Sequence, residues 1–168
     1  MFLKVLMLKQ DDPRKCSAAK LVKFGLAKPV TRTASRTLIL NPFSKKILLK
    51  SDKKFVNSIT GIDCSWNLVT SAFKKPFTGI SRKLPPLLAG NPMNYSKLNK
   101  LSTVEALAGA VYILGEPELT HTLLQKFKWG NTFFELNKNL LHDYSKAQSE
   151  ADILEICHEY RLANAQFT

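Results

Sequence analysis

Apolar positions fall in short runs over the first ninety residues and at helical spacing over the rest. Phe2 to Leu8 is broken only by Lys4 and is followed by Gln10-Asp11-Asp12-Pro13. So short a run predicts a buried first strand rather than a signal peptide. Lys15 to Leu26 places Ala18, Leu21, Val22 and Leu26 on one side, after an Asp-Asp-Pro start signal, and predicts a helix. Thr37 to Leu40 reads as a strand ended by Asn41-Pro42. Ile59 to Ile62 reads as a third strand, and Leu87 to Ala89 as a fourth before Gly90-Asn91-Pro92. Ser65 to Lys75 predicts a helix stopped by Pro76, while Lys45 to Ser58 mixes apolar and basic positions without a period that assigns it.

The texture changes at Ser102. Ser102 to Leu114 opens on a capping box, with Glu105 three residues after the Ser102 N-cap. Pro117 to Phe127, Thr132 to Tyr144 and Ser149 to Ala165 predict three more helices, and no strand signal follows residue 90. Alternating strands and helices followed by a helical part indicate an α/β class. The expected division is a basic α/β lobe at 1–83 and a mostly helical lobe at 84–168, with a ligand site between them.

A chain of 168 residues suits one domain or two small lobes sharing one core. It buries roughly 70% of its unfolded surface and so needs neither disulfide nor metal to fold. The longest apolar runs fall well short of a bilayer span. Cys16, Cys64 and Cys157 are widely spaced and form no CxxC pair, which fits a reducing cytoplasm and no zinc site.

Charge is more informative. Residues 1–100 hold 20 Lys or Arg against 4 Asp or Glu, a net of +16, while residues 101–168 hold 5 against 9, a net of −4. Solubility alone needs no such split. A basic first part points to a polyanion, RNA or DNA ahead of an anionic membrane.

No dinucleotide, phosphate-loop, zinc-protease or nucleophile-elbow motif is present. His121, His142 and His158 fall on predicted helices without ligand partners at useful spacing, and read as packing or surface residues. Three clusters remain. Gly61-Ile62-Asp63-Cys64-Ser65-Trp66 puts Asp63, the one acid between Asp52 and Glu105, between a strand and a helix. Asp63 is then either a helix cap or a carboxylate at the ligand-binding edge of the sheet. Arg82 to Tyr95 concentrates turn formers after an apolar run, giving either a tight structural turn or a rigid loop that presents backbone groups to a ligand. Leu101-Ser102-Thr103-Val104-Glu105-Ala106 is a helix start, hence a simple cap or an anion site.

In order and spacing, four blocks resemble the small-subunit ribosomal RNA aminocarboxypropyltransferases. They are Asp-Cys-Ser-Trp at 63–66, Arg-x-Leu-Pro with Ala-Gly-Asn-Pro-x-Asn-Tyr over 82–95, Leu-Ser-Thr-Val-Glu-Ala at 101–106, and Phe-x-Trp-Gly-x-x-Phe-x-x-x-Asn at 127–137. The likeness runs from the first strand to about Tyr144. Gly90, where the family more often has Ala, and Ser17, where it often has Thr, are mild departures. The resemblance implies a SPOUT-like α/β fold with a C-terminal trefoil knot and S-adenosylmethionine as donor, with no metal. It implies transfer of the 3-amino-3-carboxypropyl group to N3 of a uridine or pseudouridine, with release of methylthioadenosine. The rivals are a methyltransferase of the same fold and a non-catalytic RNA-binding assembly factor.

Carried onto this chain, the family's pocket implies that Leu40, Pro42, Trp66, Leu84, Leu101 and Ala106 enclose the adenine. Backbone groups near Leu84 and Asn99 would read its edge, and the Ile62 carbonyl would meet the ribose. Ser17 and the N–H of Thr103 would hold the methionine carboxylate. Asp63 would be general base or orienter for the acceptor. Lys15, Lys20, Lys23, Lys74, Lys75, Arg82 and Lys83 would contact phosphates of small-subunit ribosomal RNA or a pre-ribosomal particle. A monomer acting in the cytoplasm, away from membranes, completes the expectation.

Overall fold

The computed structural model describes residues 1–8, 12, 14 and 16–162. Lys15 and the last residues of the helix expected over Ser149 to Ala165 lie outside the described residues. Five strands form one parallel sheet: β1 (Phe2–Met7), β2 (Lys28–Val30), β3 (Thr37–Leu40), β4 (Ser58–Asp63) and β5 (Ile80–Arg82), in the order β2-β1-β4-β3-β5. The three central strands are those expected from the apolar runs. Parallel strands covered on both faces read as continuous apolar stretches, and all four residues of β3 are buried.

The pattern missed β2 and β5 for a shared reason. Both are three-residue edge strands, rich in polar or cyclic residues: Lys28-Pro29-Val30 and Ile80-Ser81-Arg82. An edge tolerates proline and charge, so it carries no apolar signature. Leu87 to Ala89, by contrast, is not a strand of the sheet. Leu88 makes one isolated antiparallel bridge to Leu98. Its N–H donates to Asn137 Oδ1 at 2.8 Å, and Asn137 Nδ2 donates to its C=O at 2.8 Å. A side-chain amide thus replaces the neighbouring strand that the apolar run implied.

The helices are α1 (Ser17–Lys23), α2 (Val69–Ala72), α3 (Thr103–Ile113), α4 (Pro117–Leu124), α5 (Gly130–Tyr144) and α6 (Glu150–Glu159). The helix expected over Ser65 to Lys75 divides into a 3-10 turn, Trp66–Leu68, and the single turn of α2. The unassigned stretch 45–58 contains another 3-10 helix, Lys50–Phe55. α3 is capped as its sequence requires, with Ser102 and Glu105 closing both halves of the capping box. It is apolar nearly all round and packs against β4, α1, α4 and α5, making it the central helix. One core takes Val5, Leu38 and Ile59 from the sheet, Leu107 and Val111 from α3, and Leu141 and Ile153 from α5 and α6. Among the described residues, no helix is long and apolar enough to cross a membrane.

Candidate functional site

Parallel strands deliver their last residues to one edge of the sheet, where the following loops turn away and leave a crevice. Here β3 ends on Leu40 and β4 on Asp63, and both border a cleft of about 780 Å³. Its other walls are the loops 83–94 and 99–103 and the start of α1. All ten residues implied for the donor line it: Ser17, Leu40, Pro42, Ile62, Trp66, Leu84, Asn99, Leu101, Thr103 and Ala106. Asp63 lines it as well.

Asp63 does not cap the turn that follows. Ser65 occupies the N-cap position, and Asp63 turns across the cleft floor instead. Its Oδ1 accepts from Thr103 Oγ1 at 3.0 Å and its Oδ2 from Cys16 Sγ at 3.0 Å. The carboxylate therefore ties β4 to the N-cap of α1 and the first residue of α3. Cys16 also accepts from the Ala19 N–H as the N-cap of α1. Burial raises its thiol pKa from the ordinary 9.0 to about 11, against the Ala19 amide and reinforced by the Asp63 carboxylate. It is a neutral donor throughout the physiological range.

Two helix starts converge here. Ser17, the first residue of α1, accepts from the Val104 N–H at 3.2 Å. A hydroxyl that accepts one bond still carries one donor. Thr103 is the first residue of α3, where backbone N–H groups lack intrahelical partners and the helix dipole favours an anion. Opposite, Trp66 Nε1 donates to the Leu101 carbonyl at 3.1 Å, and Lys100 Nζ lies 4.7 Å from the centre of its ring. The ring is thereby fixed as a wall. Asn99 adopts φ 60° and donates its N–H to the Leu87 C=O at 2.9 Å, so its carbonyl, not its amide, is what its backbone offers the cleft.

Glu105 organises the loop wall. It is fully buried and accepts from the Gly90 N–H (2.7 Å), the Asn91 N–H (2.9 Å), Asn91 Nδ2 (2.7 Å) and the Ser102 N–H (2.7 Å). These charge-assisted bonds join the Ala-Gly-Asn-Pro block to the Leu-Ser-Thr-Val-Glu-Ala block. The fourth block supports both from behind, through the Asn137 clamp on Leu88. Gly90 packs so closely on α5 that a Cβ would lie 2.5 Å from the Phe133 nitrogen. Tyr144 Oη donates to the Pro86 C=O at 3.0 Å.

The expected phosphate-binding cations divide. Lys20 and Lys83 line the cleft, and Lys23, Lys74 and Lys75 are exposed. Arg82 differs from the lysines. Its guanidinium pairs with the buried Asp52 at 2.9 Å and donates to the Ser81 carbonyl, so it is already engaged in holding the fold together. The sequence reading passed over Cys16, Asn41, Phe73, Asn91 and Trp129, which all border the cleft. The sequence pattern put Cys16 inside the first predicted helix, whereas it is the N-cap of α1. None of the three histidines borders the cleft.

Residues 38–161 match the family described as "Ribosome biogenesis protein, C-terminal". Residues 4–35 match "Possible Fer4-like domain in RNase L inhibitor, RLI". An iron–sulfur cluster of that kind takes about four thiolates. Residues 4–35 contain Cys16 alone, so this segment does not supply a cluster site. The chain is 39% identical over 163 residues to a protein of Methanococcoides burtonii, with 94% of each covered. It is 43% identical over 152 residues to one of Sulfurisphaera tokodaii, with 89% of each covered. Both are named 16S rRNA aminocarboxypropyltransferase. Its fold aligns at a TM-score of 0.81 and 37% identity with the SAM-dependent rRNA:acp-transferase Tsr3 from Vulcanisaeta distributa, covering 86% of this chain and 82% of that one.

Proposed function

Because the chain belongs to the 16S rRNA aminocarboxypropyltransferase family, we propose that it carries the 3-amino-3-carboxypropyl group of S-adenosylmethionine to N3 of a uridine-type base in small-subunit ribosomal RNA. One observation carries the reading. A single cleft joins an apolar wall, two helix starts suited to an anion, and one carboxylate.

The residues present fit the donor. Leu40, Pro42, Leu84, Leu101, Ala106 and the fixed Trp66 ring provide apolar surface for an adenine, and Ile62 ends β4 beside them. Ser17 and the start of α3 provide donors for a carboxylate. Three carbons on a sulfonium each have a thioether as leaving group, so selection among them is a matter of alignment. A Trp66 ring set against the methyl leaves the side-chain carbon facing the RNA. N3 forms the new bond to that carbon, its bond to sulfur breaks, and methylthioadenosine leaves with the electron pair. N3 must lose its proton for that bond to form, and the proton ends in solvent. Asp63, held by Cys16 and Thr103, accepts the N3–H either as the base or as the hydrogen-bond acceptor that orients the ring.

The same reading places Lys20, Lys23, Lys74, Lys75 and Lys83 on RNA phosphates, with Lys15 beside them in sequence. The target base must leave its stack to reach the cleft, which favours a hairpin loop. The trefoil knot belongs to the reading too. Its support is the likeness of the whole fold to the solved rRNA:acp-transferase, at a TM-score of 0.81. So do the two lobes meeting near residue 83, a monomeric state and a cytoplasmic location.

A donor labelled in its carboxyl carbon tests the reaction. Label should enter ribosomal RNA with the native protein. In Asp63→Ala, donor binding should persist while transfer falls roughly 100-fold or more. Entry of a methyl label instead, or normal transfer by Asp63→Ala, overturns the assignment.

A further inference from the structure

A row of phenylalanines leaves the cleft mouth. Phe73 borders the cleft, and its ring stands edge-on to Phe43 at 5.9 Å and 64° and to Phe77 at 5.6 Å and 73°. Phe43 is half exposed, at 50%. It is also rigidly mounted. Its N–H donates to Asn41 Oδ1 at 2.9 Å, Asn41 Nδ2 donates to Ser81 Oγ at 3.0 Å, and the Asn41 N–H donates to the Arg82 C=O at 2.9 Å. The turn that carries Phe43 is thus fastened to the end of β5. Lys45, Lys46, Lys74 and Lys75, all exposed, flank the rings in sequence.

Packing alone accounts for the contacts among the rings, which hold the 66–77 segment to the turn after β3. It does not account for a half-exposed ring on a pinned turn among lysines. Aromatic faces interleaved with cations are what single-stranded nucleic acid uses. Bases stack on rings whatever their sequence, while cations follow the backbone. We propose that Phe43 and Phe77, continuing from Phe73, form a stacking platform for the unpaired nucleotides that flank the target base. This rests on the RNA reading above. The platform compensates for the stacking lost when the target base turns into the cleft. The lysines argue against a second copy of this chain as occupant, because two such faces would repel.

Stacking and phosphate contact leave different signatures. Losing a phosphate contact flattens the salt dependence of binding, whereas losing a stacked base weakens binding at every salt concentration. The probe is an oligouridylate of about twelve nucleotides, within the usual span of such grooves. Phe43→Ala should weaken its binding about tenfold at every salt concentration, with the log–log slope and donor affinity unchanged. Phe43→Tyr should bind like the native protein. Phe43→Trp guards against a variant that fails to fold, because its added fluorescence should be quenched by oligouridylate.

Native-like binding by Phe43→Ala, or an unquenched Phe43→Trp, overturns the platform alone. So does loss of self-association in Phe43→Ala with RNA binding intact. No oligouridylate binding by the native protein, together with no label transferred to ribosomal RNA, overturns the functional reading and the platform with it.

Discussion

The thiol of Cys16 donates to Asp63 from 47 positions away in sequence, at 3.0 Å, while accepting the Ala19 amide. One side chain thus starts α1 and holds the carboxylate at the cleft floor. The two tasks separate by substitution. Cys16→Ser keeps a donor and a cap and should retain transfer. Cys16→Asp keeps a good cap but sets a second carboxylate against Asp63, and should lower turnover at least tenfold at saturating donor. Equal activity in the two variants would reduce Cys16 to a cap. The raised thiol pKa also fixes a direction. The neutral thiol is favoured in the folded state, so its contribution is complete below pH 9 and is lost as pH rises toward 11. Alkylation of Cys16 should accordingly have its midpoint near pH 11.

Removing the Glu105 carboxylate should unfold the loop wall. Glu105→Ala leaves the Gly90, Asn91 and Ser102 donors buried without an acceptor. At about 1–3 kcal/mol for each buried unsatisfied group, the loss should reach at least about 3 kcal/mol in urea denaturation. Glu105→Gln, which brings an NH₂ where four donors already point, should recover only part of it.

The cations should separate into two classes. Replacing Lys20, Lys23 and Lys74 together with Gln should flatten the salt slope of RNA binding by about 2, at roughly 0.7 per single-strand phosphate. Arg82→Gln should leave the slope unchanged. It strands the buried Asp52 and should cost about 3 kcal/mol of stability. Chemical denaturation and salt titration of the same variants distinguish the outcomes.

Trp66→Ala removes both a wall and the latch to Leu101, and should weaken donor binding about tenfold, in line with the loss of a buried aromatic surface. Trp66→Phe keeps the wall without the latch and should fall between. In a Trp129→Phe protein, where Trp66 is the one tryptophan left, donor should change the fluorescence. An unchanged signal at saturation removes Trp66 from the pocket.

Legibility in the sequence followed burial. β1, β3, β4 and the capped α3 were readable because each has a strong local signal, an apolar run or a Ser-x-x-Glu start. The edge strands were not, because solvent on one side lets Lys28, Pro29 and Arg82 stand in them. Asp63 was placed at the sheet edge by position, but its partners were not readable. Cys16 and Thr103 reach it across 47 and 40 residues, and no local pattern encodes such a pairing. The partner of Arg82 was unreadable for the same reason, since Asp52 lies 30 residues upstream. The Leu87 to Ala89 run carried the apolar signal of a strand, while Leu88 bonds Asn137, 49 positions away, and Leu87 and Ala89 bond residues 96–99.

That clamp has a consequence for how the enzyme comes into being. The wall bearing Leu84 to Asn91 is secured by Glu105, Asn137 and Tyr144, all of which leave the ribosome after it. A nascent chain stopped before α5 has the sheet, Asp63, the basic face and Glu105, but lacks the Asn137 and Tyr144 bonds that back the far side of the cleft. Synthesis proceeds from the amino end at roughly 5–20 residues per second. The donor wall is therefore completed only when the last third of the polypeptide adds Asn137 and Tyr144. A prematurely terminated product would keep the RNA-attracting charge without the ability to react, and such a fragment would compete with the finished enzyme for its substrate.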